Sequence, residues 1–77
     1  MQQNIILVAH AMSLYGSQAA LARAAGVSQP VIHEALKTGR VGPRLAMGIE
    51  RATSGAISKS LLRPDLWPMI APARVAS

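Results

Sequence analysis

Residues 18–39 read QAALARAAGVSQPVIHEALKTG, and the punctuation of this stretch decides the fold. Ser17 places a hydroxyl ahead of a helix-forming run, where it can cap the free amides of a helix from Gln18 to about Ala25. Ala22 lies in the middle of that run, where a small side chain lets a second helix approach. Gly26 follows it, and glycine takes the left-handed conformation at a helix C-terminus without steric cost. Val27 supplies an apolar plug, and Ser28 is a second N-cap with Pro30 close behind, where a missing N–H costs little. From about Gln29 to Thr38 the apolar Val31, Ile32, Ala35 and Leu36 recur at helical spacing, which predicts that they face inward, and Gly39 is a stop. Two short helices joined by a tight glycine-containing turn form the unit that sets its second helix in the major groove of DNA. A plain helical hairpin is the alternative reading.

The whole chain sets bounds on this reading. Seventy-seven residues suit one small domain without staples. With no cysteine, disulfides and thiolate metal sites are excluded, and His10 and His33 lie too far apart in sequence to suggest a metal site, so neither metal nor cofactor is expected. The apolar residues are Ala, Leu, Ile, Val and Met, with Tyr15 and Trp67 as the only aromatics, a composition that suits closely packed short helices better than a sheet. An all-α fold of four to five helices follows.

Charge points toward a polyanion. Eight Lys and Arg against three acids give a net +5, with an isoelectric point near 11.4; a basic domain of this size is suited to phosphate backbones. Lys37, Arg40 and Arg44 cluster at the end of the second helix and just after it, where flanking phosphates would lie.

Outside this unit, Ile5, Val8, Ala9 and Met12 recur at the helical period and predict a first helix from Ile5 to about Tyr15, ended by Gly16, with His10 and Tyr15 off its stripe. The run IILVAHAM at 5–12 is far shorter than the roughly 20 residues needed to cross a bilayer. No Lys or Arg precedes it as in a secretory signal, and a cytoplasmic protein is expected. After the loop Val41-Gly42-Pro43, the residues Leu45, Ala46, Ile49 and Ala52 mark the buried side of another helix closed by Gly55. Ser58 can cap a last short helix through Leu62, which Pro64 cannot continue. Trp67 can seal the core or join a dimer surface, and the core is the expected place. A domain over residues 1–68 and a poorly ordered tail over 69–77 complete the organisation.

The stretch QAALARAAGVSQPVIHEALKTGR, residues 18–40, resembles the Cro and phage-repressor class of helix-turn-helix regulators, and within it the YdaS-type family described as Cro-like or as antitoxins. The similarity continues through IERATSG at 49–55 to LRPDLWP at 62–68. The resemblance implies a compact five-helix, lambda-repressor-like domain, bacterial or phage-encoded, that represses phage or prophage promoters as a dimer on a two-fold operator. Antitoxin activity would require a toxin encoded elsewhere. Pro30 stands where many relatives carry a small or polar residue able to touch a base, which makes that contact apolar here.

In this geometry the second helix offers Ser28, Gln29, Pro30, His33 and Glu34 to base edges. Gln29 can pair with adenine N6 and N7, His33 can donate to a guanine or phosphate acceptor, and Glu34 can accept from cytosine N4. Glu34 has an alternative use as a partner of Lys37 or Arg40. Gln18, Lys37, Arg40 and Arg44 are candidate phosphate contacts. A homodimer is the expected reader of double-stranded DNA, with the region from Leu61 to Ile70 as the candidate pairing surface. Catalysis is not expected, because Glu34, Glu50 and Asp65 are scattered and the serines lack an evident base. A protein-interaction module docking a toxin or another protein through the strip around Trp67 is the rival; RNA binding is disfavoured by the lack of stacking aromatics near the basic residues.

Overall fold

The computed structural model describes residues 3–68, which form five helices: α1 Gln3–Tyr15, α2 Gln18–Ala25, α3 Gln29–Thr38, α4 Pro43–Ala52 and α5 Lys59–Leu62. The all-α expectation holds, with no strand among the described residues. The expected tail at 69–77 lies outside them.

Local chemistry sets most of the boundaries. The Ser17 hydroxyl accepts from the Ala20 amide at 3.1 Å and starts α2. Gly26 ends it in the left-handed conformation at φ 76°, with the Val27 amide donating to the Ala22 carbonyl at 3.0 Å. Gly39 ends α3 in the same way at φ 80°. The Ser58 hydroxyl accepts from the Leu61 amide at 3.2 Å and opens α5. Ser28 departs from expectation: it occupies the N-cap of α3 in extended conformation, but its side chain makes no cap hydrogen bond. The Val31 amide, at the position that Ser17 and Ser58 cap in α2 and α5, donates to the Ser28 carbonyl at 3.1 Å.

Helix α1 starts two residues before the expected Ile5, because Asn4 is held from outside the helix. Its amide nitrogen donates to the carbonyls of Gly39 and Leu62, each at 3.2 Å, tying the first turn to the ends of α3 and α5. The inward line of α1 runs through Asn4, Val8 and Ala11, at spacings of one helical turn, and Tyr15 is exposed, off the stripe as expected. Val8 and Ala11 are fully buried, whereas Ile5, Ala9 and Met12 of the expected stripe are half-buried. At the C-terminal end of α1 the Tyr15 hydroxyl donates to the Ala52 carbonyl at 2.6 Å.

The core collects residues from every helix, with Leu21, Ile32, Leu45, Ile49 and Leu62 as its largest buried side chains. Val41, from the loop after α3, is also buried, and Trp67 packs partly buried against the cluster, in the expected core position. Lys59 places its ammonium 5.1 Å from the Trp67 ring centre. Helix α4 ends at Ala52, three residues before Gly55. Ser54 and Gly55 then turn through positive φ, and the Gly55 amide closes back on the Glu50 carbonyl at 2.8 Å. Ala52 itself is half-buried.

Three helix contacts position the candidate site. Helix α1 packs on α2 and α3, and α4 packs on α2. No single described helix is long and apolar enough to cross a membrane; α1 and α2 together reach that length but meet at 97°.

Candidate nucleic-acid interface

The turn between α2 and α3 is braced from α4. Gly48 lies against the Ala25 carbonyl, and the Arg51 guanidinium donates to that same carbonyl at 3.3 Å, satisfying an acceptor at the end of α2. Val27 packs half-buried between the two helices, as its expected role as a plug requires. Helix α3 is thereby held on its inner side by Ile32 and Ala35, both fully buried, with Leu36 half-buried beside them.

Val31 does not join them. It was expected to face inward, yet 40% of its surface is exposed. The inward stripe is Ile32, Ala35 and Leu36, at spacings of three and four, and a helical step of about 100° carries Val31 off its edge.

The residues expected at base edges are all exposed, and the structure distributes them over the outer face of α3. On one side Gln29, Pro30 and His33 join Gln18 of α2 around an open concavity of about 330 Å³. On the other, Ser28 and Val31 face Pro43 and Arg44 across a second concavity of about 430 Å³, floored by the turn residues Gly26 and Val27. Pro30, Glu34 and Lys37 follow one another along the ridge between them, at spacings of four and three. Arg40 is exposed just beyond the Gly39 cap and lines neither concavity.

The electrostatics of this face are unneutralised. Among the described residues the one ion pair is Arg63 with Asp65, so Lys37, Arg40 and Arg44 carry uncompensated charge and Glu34 is paired with neither Lys37 nor Arg40. At the start of α2 the Ser17 hydroxyl takes the Ala20 amide and the Ser17 carbonyl takes that of Leu21. The amides of Gln18 and Ala19 are left without a partner inside the helix, beside the Gln18 side chain.

The acids of the C-terminal half are engaged elsewhere. A Glu50 carboxylate oxygen accepts from the Lys59 amide at 3.1 Å. Asp65 takes two bonds from the Arg63 guanidinium, at 2.9 and 2.7 Å, while Arg63 also donates to the Val41 carbonyl at 2.9 Å. Hydrogen bonding to Arg63 holds the Asp65 carboxyl below the usual carboxylate range, and the same pair raises the Arg63 pKa.

Sequence reasoning missed three participants. Gly48 and Arg51 brace the turn, and Val31 belongs to the outer face. A glycine inside the helical run PRLAMGIERA was a readable sign of close backbone approach; the Arg51 bond, reaching 26 residues back, had no local sign.

A family model described as Bacterial toxin YdaS matches residues 8–70, which takes in most of α1 and all of α2 to α5. Its description names a toxin, whereas the resemblance seen in the sequence implied a Cro-like repressor, with antitoxin activity only where a toxin is encoded elsewhere. No curated protein and no solved structure matches the chain significantly.

Proposed function

The chain belongs to the family described as bacterial toxin YdaS, and from that premise we propose that it is a sequence-specific DNA-binding regulator, a Cro-like repressor that lays α3 in the major groove. The observation that carries this reading is the convergence of Gln18, Gln29, Pro30 and His33 on one concavity, while Lys37 on the ridge of α3, Arg44 in the second concavity and Arg40 beyond the Gly39 cap form no ion pair. Gln29 reads adenine, His33 donates to guanine or phosphate, and Glu34 accepts from cytosine N4. The Ser28 hydroxyl, spared from capping, is free to bond a base or phosphate. Gln18 with the neighbouring amides of α2, together with Lys37, Arg40 and Arg44, holds phosphates and sets affinity without reading sequence.

One module of this size covers little DNA, which favours a homodimer on an inverted repeat whose half-sites are spaced by about one turn, roughly 34–36 Å. Of the candidate pairing region, Leu62 is committed to the core while Leu66 is 44% exposed. We assign the chain no catalysis, since Glu50 and Asp65 are occupied in capping and pairing and Glu34 lies apart on α3.

Selection of bound duplexes from a random pool at physiological salt tests the function. An enriched inverted repeat supports it; folded protein that enriches nothing overturns it. The family description favours a second reading, a module that acts by docking a protein partner within a toxin–antitoxin pair. Weak DNA binding that is insensitive to salt would support that reading, because phosphate contacts make true DNA binding steeply salt-dependent.

A further inference from the structure

Val31 is a β-branched apolar residue on the outer face of α3 with 40% of its surface exposed, and it shares its concavity with Ser28 and Arg44. Resting on the DNA-reading function above, we propose that Val31 is a specificity-determining residue that packs against the 5-methyl group of a thymine in the major groove.

The placement supports this directly. Gln29 and His33 line the concavity on the α2 side of α3 with Pro30, and Val31 lines the one on the side of the α3–α4 loop with Ser28, so each flank sets one apolar side chain beside polar ones. Arg44 stands across from Val31 with no acidic partner. A phosphate bound there draws one strand over the mouth of the concavity, and the base edges of that strand then face Ser28 and Val31. The 5-methyl group of thymine is the apolar feature that the natural base pairs present in the major groove. A valine cannot replace the water lost by a cytosine amino group or a guanine oxygen, so it favours the methyl and disfavours the others. Its branched side chain is held near one rotamer in a helix, so little freedom is lost on contact.

The test starts from the selected operator, in which each thymine is replaced in turn by deoxyuridine, removing the methyl while keeping every hydrogen-bonding group. Binding of the wild-type protein and of Val31→Ala is read by fluorescence anisotropy. The expected result is one thymine per half-site whose replacement weakens wild-type binding about fourfold, the worth of one buried methyl, and leaves Val31→Ala unaffected. Should Val31→Ala not fold by circular dichroism, Val31→Gln, a good helix former with no methyl group, is expected to lose the same discrimination.

A specific operator whose thymines all tolerate deoxyuridine would overturn the proposal while leaving DNA reading intact. So would a variant that keeps the wild-type thymine-to-uracil ratio. Methylated cytosine carries the same 5-methyl group; binding to 5-methylcytosine tighter than to thymine at that pair would overturn the thymine assignment. A pool that enriches nothing removes the underlying function and this inference together.

Discussion

Gly48 of α4 meets the carbonyl of Ala25 so closely that a Cβ on the glycine would stand 2.2 Å from that oxygen and 3.0 Å from the Ala25 Cβ. Ala25 is the last residue of α2, immediately before the turn that aims α3. In an exposed helix interior, glycine to alanine gains about 1 kcal/mol. Here the added methyl has to separate two backbones. Gly48→Ala is therefore expected to lose stability, by about 1–3 kcal/mol as overpacked cores do, or roughly 5–15 °C in Tm for a domain of this size. A thermal melt followed by circular dichroism checks it, and an unchanged or higher Tm would mean that α2 and α4 do not touch here.

Asn4 uses one amide group to satisfy two carbonyls that are distant in sequence, those of Gly39 and Leu62. Asn4→Ala leaves both half-buried acceptors to find water and should cost about 1–2 kcal/mol. Asn4→Asp should cost more, since a carboxylate would face two carbonyl oxygens with nothing to donate. Urea denaturation midpoints should fall in the order wild type, alanine, aspartate. An aspartate variant as stable as wild type would show that the side chain points to solvent.

Asn4 also marks what the sequence could not reveal. The α2–α3 unit was legible because Ser17, Gly26 and Gly39 act on amides and carbonyls within a few residues of themselves. The inward line of α1 was misplaced toward Ile5 and Met12, because hydrophobic periodicity weighs greasy residues and has no weight for Asn4. Its partners lie 35 and 58 residues away. At the candidate site, the exposure of Gln29, His33 and Glu34 followed from the apolar spacing of α3. The division of that face into two concavities did not, since it depends on where the α3–α4 loop returns. The missing Ser28 cap had no local sign, since Val31 keeps the amide that Ser17 and Ser58 bind at the same position of their own helices.

Stability on the acid side should depend on Asp65. Its folded-state pKa is lowered by hydrogen bonding to Arg63, so the pair's contribution is complete above the unfolded carboxyl value of about 4 and is lost as pH falls through the lower folded value. Raising pH through neutrality leaves it intact, because the Arg63 pKa is raised from an already high value. Denaturation midpoints measured from pH 6 down to pH 2 should therefore fall more for wild type than for Asp65→Asn. Superimposable profiles would mean that the pair does not persist in solution.

Contacts that read bases and contacts that hold phosphates should separate cleanly on substitution. Gln29 lines the concavity shared with Gln18 and His33, so Gln29→Ala should relax preference at one A·T position by roughly tenfold, within the range of a bidentate pair. Arg40 is exposed and unpaired beyond the end of α3. Arg40→Ala should weaken binding to every duplex and flatten the slope of log affinity against log salt by about 1. Titrations of the operator and of a scrambled duplex at several salt concentrations distinguish the two effects. If neither variant changed binding, α3 would not be the reading helix.

Glu34 gives the sharpest chemical test of how α3 faces DNA, because it is exposed on the ridge and forms no ion pair with Lys37 or Arg40. An unpaired carboxylate brought near phosphates opposes binding everywhere except where a cytosine N4 donor meets it. Glu34→Gln removes the repulsion and changes the reader, since glutamine both donates and accepts and so pairs with adenine N6 and N7. The variant should bind random duplexes more tightly at low salt and should shift one operator position from C·G toward A·T. Repeating the pool selection with the variant reads both effects at once. Unchanged affinity for random DNA together with an unchanged operator would place Glu34 away from the duplex, and the ridge of α3 with it.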